Sequence, residues 1–252
     1  MVQAEVFPEP VDLALSLGCG FGGFERVMIA LGLAKKVHAM DISPGAIEKA
    51  RAAAAADAMG DKITYEVADL NEIMLPSDTY DAFYGIASVH HVFQLEHLFC
   101  QCSGALKPGA LLLLDKYIGP SQFQLPPETA AVINQVLTLL PARYRINLFT
   151  KDGSTIDQFT PASVDFFERT DPSESIRSAE IVSTLKKYFD IVEFRPYRGA
   201  LLHMLLSGIA GNFDETNEAD ATILSLLATV EELLERHKIL TSDFAVIVAR
   251  PL

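Results

Sequence analysis

The sequence predicts an α/β protein: a doubly wound, mostly parallel seven-stranded sheet with a helical cap inserted after the fifth strand. Three observations carry that expectation. Over roughly the first 115 residues, apolar runs of strand length alternate with segments of helical periodicity, a pattern that builds right-handed βαβ units around a parallel sheet. The first apolar run breaks into a glycine loop, Gly18, Gly20, Gly22 and Gly23, that opens a helix. From Gly119 the alternation stops, and two more strand-like runs, 191–197 and 243–249, follow a mixed stretch over 119–175.

In order, residues 1–10, with Pro8 and Pro10, read as a lead-in. The first strand spans 11–17 and the first helix 23–33, where Phe24 to Leu33 carries apolar residues at helical spacing. The second strand, 37–40, ends at Asp41. A helix follows over 43–59: Ser43 can cap it, Pro44 fits the first turn, where its missing N–H costs nothing, and Gly60 stops it. The third strand, 63–67, ends at Ala68-Asp69-Leu70, and the fourth, 80–87, at Ser88. A helix over 95–106, a Lys107-Pro108-Gly109 turn and the fifth strand, 110–115, complete the alternation. Beyond it, 126–140, 178–188, 200–209 and 219–238 read as helices, while Asp152-Gly153 and Asp171-Pro172 mark turns.

The chain of 252 residues suits a single domain over 1–252, with 119–175 as a cap and substrate region inserted within it. Half the residues are hydrophobic, enough for a large core, and no apolar run reaches membrane-spanning length. The first residues lack the basic region and apolar core of a secretion signal. Cys19, Cys100 and Cys102 form neither a disulfide framework nor a metal-ligand spacing, which points to a reducing, cytoplasmic location. The net charge of −13, without a Lys/Arg cluster, argues against nucleic acid and anionic membranes as partners and leaves a small-molecule substrate.

Gly18, Asp41, Asp69, Ser88 and Lys116 all fall at or just after strand ends, where open sheets of this class hold their ligands. Glycines let a backbone approach a ligand closely, and the following helix offers free N–H groups. Asp41, 21 positions after Gly20, can accept both hydroxyls of a ribose; it can equally cap the helix that follows. Asp69 can accept from an adenine amino group while Leu70 packs on the ring, or can serve as a turn residue.

The glycine loop, Asp41, Ala68-Asp69-Leu70, Tyr80-Asp81-Ala82-Phe83, Ser88-Val89-His90-His91 and Leu106-Lys107-Pro108-Gly109-Ala110 resemble, in order and spacing, the class I S-adenosylmethionine-dependent methyltransferases. The resemblance covers about 11–116 and implies a Rossmann-like fold whose last strand, at Phe244–Ala249, lies antiparallel beside the sheet. It implies S-adenosylmethionine as cofactor: Gly18, Cys19 and Gly20 along its methionine part, Asp41 on the ribose, Ile42 beside the adenine, Asp69 and Leu70 on the adenine, and Ala87 and Ser88 below the sulfonium methyl. Two departures stand out. The family usually carries an acid where this chain has Ser16, so contacts to the cofactor's amino group are weakened. Many relatives also have an N-terminal helical lid that this chain nearly lacks, so the cap at 119–175, a partner or second copy, or a missing segment has to cover the site.

Methyl transfer is an in-line displacement that needs positioning more than acid–base machinery, unless the acceptor is a hydroxyl, where a base helps. His90 is the first candidate base and His91 the second; either could instead cap a helix or pack. Lys116, Tyr117, Arg177 and His203 are candidate substrate contacts, with a surface ion pair for Arg177 and a core position for His203 as the plainer readings. Phe123, Phe149, Phe159, Phe166 and Phe167 either line an apolar pocket or form the cap's own core, and the core is the favoured reading. No metal site is evident. A sugar or natural-product hydroxyl is the preferred acceptor, with carbon and nitrogen acceptors open. Two other readings stand beside this one. Gly18-x-Gly20-x-x-Gly23 also satisfies a dinucleotide fingerprint, as in an NAD-dependent oxidoreductase. A fold that has lost the acid at Ser16 could be a non-catalytic partner subunit.

Overall fold

The structure, a computed structural model, describes residues 9–150 and 152–252, so the first eight residues of the expected lead-in lie outside the described residues. In chain order its elements are β1 (Val11–Leu17), α1 (Gly23–Ala30), β2 (Ala34–Asp41), α2 (Pro44–Ala56), β3 (Ile63–Val67), β4 (Tyr80–Ile86), α3 (Leu95–Ala105), β5 (Leu106–Tyr117), α4 (Pro127–Leu139), α5 (Val164–Thr170), α6 (Ile181–Leu185), β6 (Phe189–Pro196), α7 (Leu202–Leu205), α8 (Glu218–Arg236) and β7 (Phe244–Pro251). They divide into two compact units. One runs to Ile118 and takes in Ser173–Arg195 and Ala245–Leu252; the other joins Gly119–Pro172 to Pro196–Phe244.

The first unit carries a seven-stranded sheet in the order β3-β2-β1-β4-β5-β7-β6. β1 pairs in parallel with β2 and β4, β2 with β3, and β4 with β5. Both faces are covered, so the strands read as continuous apolar runs. Successive side chains of β1 divide between two cores. Ala14 joins Met28, Ile29, Ile47, Ala50 and Ala54 of α1 and α2. Leu15 and Leu17 join Leu95, Leu98, Phe99 and Cys102 of α3 and Ile181 and Leu185 of α6. Each large side chain so buried contributes about 1.5–3 kcal/mol relative to exposure.

The ends of elements depart from the sequence expectation for local reasons. α1 stops at Ala30 rather than residue 33, because Leu31 and Gly32 turn the chain, Gly32 at φ +65°, and β2 starts early at Ala34. Ser43 caps α2 as expected, its hydroxyl accepting from the Ala46 N–H at 3.2 Å. The expected Lys107-Pro108-Gly109 turn lies inside β5: Leu106 pairs with Tyr80, and the register resumes at Ala82–Leu111, with residues 107–110 as an irregularity in the strand. The 178–188 helix is shorter, a 3-10 turn at Ser178–Glu180 followed by α6. Of 200–209 only α7 is α-helical.

The second unit has its own core, built from Ile133 and Leu137 of α4, Leu201, Leu205 and Ile209 around α7, and Leu227 of α8. Asn217 caps α8 by accepting from the N–H groups of Ala219 and Asp220. Glu231 is fully buried on α8, and its Oε1 accepts from the backbone N–H groups of Gly199, Leu201 and Leu202. One carboxylate oxygen thus satisfies three otherwise orphaned donors where α7 begins. Among the described residues no helix is long and apolar enough to cross a membrane.

Candidate active site

At the carboxyl ends of β1, β2 and β4 and the loop after β3, the first unit holds a cavity of about 440 Å³. Gly18, Gly20, Asp41, Ile42, Asp69, Leu70, Ala87 and Ser88 line it, as do Asn71, His91, Val92 and Ser173. The glycine loop wraps the end of β2: Gly18 and Cys19 donate to the Met40 carbonyl at 2.8 and 2.9 Å. Gly18 has φ +71°, and a Cβ there would collide with Ser88 Cβ. The Ser88 hydroxyl in turn donates to the Leu17 carbonyl, joining β4 to β1 at the cavity floor. Ala87 is also left-handed, at φ +49°, an unfavourable conformation for a residue with a side chain.

Asp41 is fixed by two backbone donors. Its Oδ2 accepts from Gly20 N–H at 2.8 Å and its Oδ1 from Ser43 N–H at 2.9 Å. Asp41 thus ties the glycine loop to the turn before α2, whose cap is Ser43 rather than Asp41. A carboxylate has about four lone-pair sites, so each oxygen keeps capacity for one further donor. Asp69 receives two hydrogen bonds on Oδ1, from the backbone and side-chain N–H groups of Asn71, both at 2.8 Å. The Asn71 side-chain oxygen accepts from Phe93 and Gln94 N–H, tying the Asp69 turn to the segment after β4. Asn71 was not anticipated; its place directly after Asp69-Leu70 was the available signal.

Cys19 does not line the cavity. Its side chain packs with the core of the α1 and α2 face, and burial pushes the thiol up to about 12, so it is no nucleophile. Ser16 is buried at the end of β1 and donates to Oε1 of Glu25, a residue of α1 that is itself 1% exposed. Burial holds the Glu25 carboxyl above its usual range, and Oε2 has no hydrogen-bond partner. Position 16 thus carries a hydroxyl paired with a buried acid from the next helix, a pairing visible only in three dimensions.

The two histidines lie on a 3-10 turn, Val89–His91, just past β4. His91, the second-ranked candidate, lines the cavity; His90, the first, sits behind it, with ring centroids 4.2 Å apart. His91 Nδ1 lies 3.1 Å from Ser173 Oγ. Glu174 lies 3.7 Å from His90 Nε2 and 3.9 Å from His91 Nε2. No spacing in the sequence foretold this group, because Glu174 is more than 80 positions downstream.

Other expectations are corrected. Lys116 and Tyr117 are 1% and 3% exposed and do not face a crevice mouth. Burial pulls the Lys116 ammonium down to about 7. Arg177 is an ion-pair residue, as its plainer reading has it, bound to Glu96 and Glu180, and its guanidinium holds Glu96 at about 2. His203 packs edge-on to the rings of Phe123 and Phe244, in keeping with the core reading. In the second unit, Phe123, Phe149, Phe159, Phe166 and Phe167 together line a cavity of about 400 Å³, so they do not simply fill a core.

Residues 15–114 match the family model described as methyltransferase domain. Among curated proteins, 27-O-demethylrifamycin SV methyltransferase of Amycolatopsis mediterranei (strain S699) is 28% identical over 107 residues, 42% of this chain and 39% of that protein. Ajmaline N-methyltransferase of Rauvolfia serpentina is 25% identical over 130 residues, 48% of this chain and 43% of that protein. The chain thus spans less than half the length of these relatives. Among solved structures, the [4+2]-cyclase SpnF is similar at a TM-score of 0.57 and 12% identity, over 99% of this chain and 79% of that one. An S-adenosylmethionine-dependent methyltransferase from Mesorhizobium loti is similar at 0.54 and 18% identity, over 99% and 95%. At these identities the structures show the fold alone. Residues 15–114 thus match a methyltransferase domain, and they lie in a seven-stranded, mostly parallel sheet whose fold is similar to that of those structures.

Proposed function

We propose that the protein binds S-adenosylmethionine in the cavity of the first unit and transfers its methyl group to a hydroxyl of a small or medium organic acceptor. The observation that carries this reading is the convergence of Gly18, Gly20, Asp41 and Asp69 on one cavity of about 440 Å³, each acid with lone pairs to spare. That volume lies within the range of about 300–1,000 Å³ of small-molecule sites. The bare backbone at Gly18 makes room where a Cβ would block the floor.

Asp41, already oriented by Gly20 and Ser43, accepts from a vicinal diol. Asp69 accepts from an amino group on a ring packed between Ile42 and Leu70. Ala87 and Ser88 form the floor beneath the reacting carbon. The bound cofactor supplies a methyl group on a positively charged sulfur, open to attack from the far side. His91, at the cavity wall, takes the acceptor's proton, with His90 behind it. The preference for oxygen rests on this imidazole and on the rifamycin-type relative; the ajmaline relative keeps nitrogen as the competing acceptor. The net charge of −13 favours a small-molecule acceptor over nucleic acid or an anionic membrane.

Calorimetric titration with S-adenosylhomocysteine, with NAD⁺ as control and Asp41→Ala alongside, tests the reading. Micromolar binding of the former alone, weakened at least about 30-fold by the substitution, is expected, since each lost charge-assisted hydrogen bond is worth about 1.5–3 kcal/mol. Binding of NAD⁺ alone, or of neither, refutes it.

A further inference from the structure

We propose that His90, His91 and Glu174 form a binding site for a divalent first-row transition metal ion at the wall of the cavity. Each residue offers one ligand atom, and the three atoms all lie within 4.8 Å of one another. The contacts are too long for hydrogen bonds: 3.7 Å from His90 Nε2 to Glu174 and 3.9 Å from His91 Nε2. Charge-assisted N–H···O bonds close to about 2.7–2.9 Å. Two donors on one ion, with bonds of about 2.0–2.2 Å, stand about 3.0–3.4 Å apart. The three donor atoms, all within 4.8 Å of one another, therefore need to draw together by at most about 1–2 Å to hold an ion.

The surroundings orient these donors. His91 Nδ1 is engaged by Ser173 Oγ at 3.1 Å; in the tautomer whose Nδ1–H donates there, Nε2 presents its lone pair to the carboxylate side. Two such lone-pair donors repel unless a proton or a cation lies between them. A ligating histidine ordinarily has its other ring nitrogen held in this way. Glu174 Oε1 is similarly held, accepting from Ser175 Oγ at 2.9 Å. The side chains are 12%, 38% and 28% exposed, sheltered yet reachable, and His91 and Ser173 both line the cavity.

Two imidazoles and one carboxylate suit zinc, iron(II), cobalt(II) or nickel(II) rather than magnesium or calcium. Three protein ligands leave at least one position for water or for an oxygen of an organic ligand. On the methyl-transfer reading, on which only this last step rests, the ion would take the acceptor's oxygen and ease loss of its proton to water. It would occupy the lone pair of His91 Nε2 and so replace that imidazole as the base.

The test uses tag-free, chelator-treated protein and the metal alone. Titration with Co²⁺, followed by visible absorption and calorimetry, is expected to give one site of micromolar affinity with d–d bands. Glu174→Gln and His91→Asn should each weaken it at least about ten-fold. His97→Asn should leave it unchanged, because His97 Nε2 is bonded instead to the Ile73 carbonyl. Circular dichroism of each variant checks that it is folded. Absence of a stoichiometric site, or Glu174→Gln binding as tightly as the parent, overturns the proposal. S-adenosylhomocysteine titrated into the same samples separates the two readings: cobalt bound without the nucleoside leaves the metal site and removes the methyl-transfer role, and the reverse result does the opposite.

Discussion

Asp243→Asn is expected to stabilise the second unit in a strongly pH-dependent way. Asp243 is 6% exposed, and burial, reinforced by Glu231 and Glu235, lifts its carboxyl from an ordinary 3.8 to about 7. A folded state that holds an acid so high favours the protonated form. The associated stability is fully present below pH 3.8, declines as the pH rises from 3.8 to about 7, and is level above. Three pKa units correspond to about 4 kcal/mol at most, and about half of that is lost by pH 5.5. Asparagine cannot ionise and matches the neutral acid in size. Urea unfolding followed by far-ultraviolet circular dichroism, from pH 4 to pH 8, should give parent and variant nearly equal at pH 4. At pH 8 the variant should be ahead by about 2–4 kcal/mol. A difference that does not change with pH would show that the carboxyl is not held in its neutral form and refute the reasoning.

Further substitutions probe the glycine loop and its support. Gly18→Ala should lower the melting temperature and abolish S-adenosylhomocysteine binding, whereas Gly20→Ala, at φ +51° with nothing within 4 Å of the added Cβ, should cost only about 1 kcal/mol. Ser16→Ala should cost about 1–3 kcal/mol, because it removes the side-chain donor to the buried Glu25 carboxyl, and much less in a Glu25→Leu background; equal costs in a double-mutant cycle would mean that the Ser16–Glu25 bond contributes nothing.

What the sequence revealed follows the range of the interactions involved. Ser43 and Pro44 start α2 through contacts within one turn, and residues 63–67 form β3 with the bounds their apolar pattern predicts. Asp41 ends β2, and Gly18, Gly20 and Asp69 each follow a strand within a few residues, so strand ends alone bring them to one cavity. The missed features are long-range. Glu25 reaches Ser16 from the following helix, Glu174 reaches His91 from more than 80 positions away, and the second unit joins two segments separated by α6 and β6. Burial misled as well. Lys116 sits at a strand end, where ligands gather, yet its side chain lies inside the protein, a position that a charged side chain gives no reason to expect.

The same division of range explains why the methyltransferase-domain match was legible in the sequence, while donor and acceptor are both proposed from the cavity. The cofactor cavity is built from backbone turns and acids fixed by neighbouring N–H groups, so its chemistry is written in short motifs. The chemistry at its far wall depends on how His91 and Glu174 meet, and the aromatic cavity of the second unit depends on Phe123, Phe149 and Phe167 converging from separate turns and helices. Surfaces assembled in that way can change by substitution at scattered positions without disturbing the sheet. The recognisable sequence accordingly lies in residues 15–114, where short-range motifs build the strand ends, and not in the segments that assemble at long range.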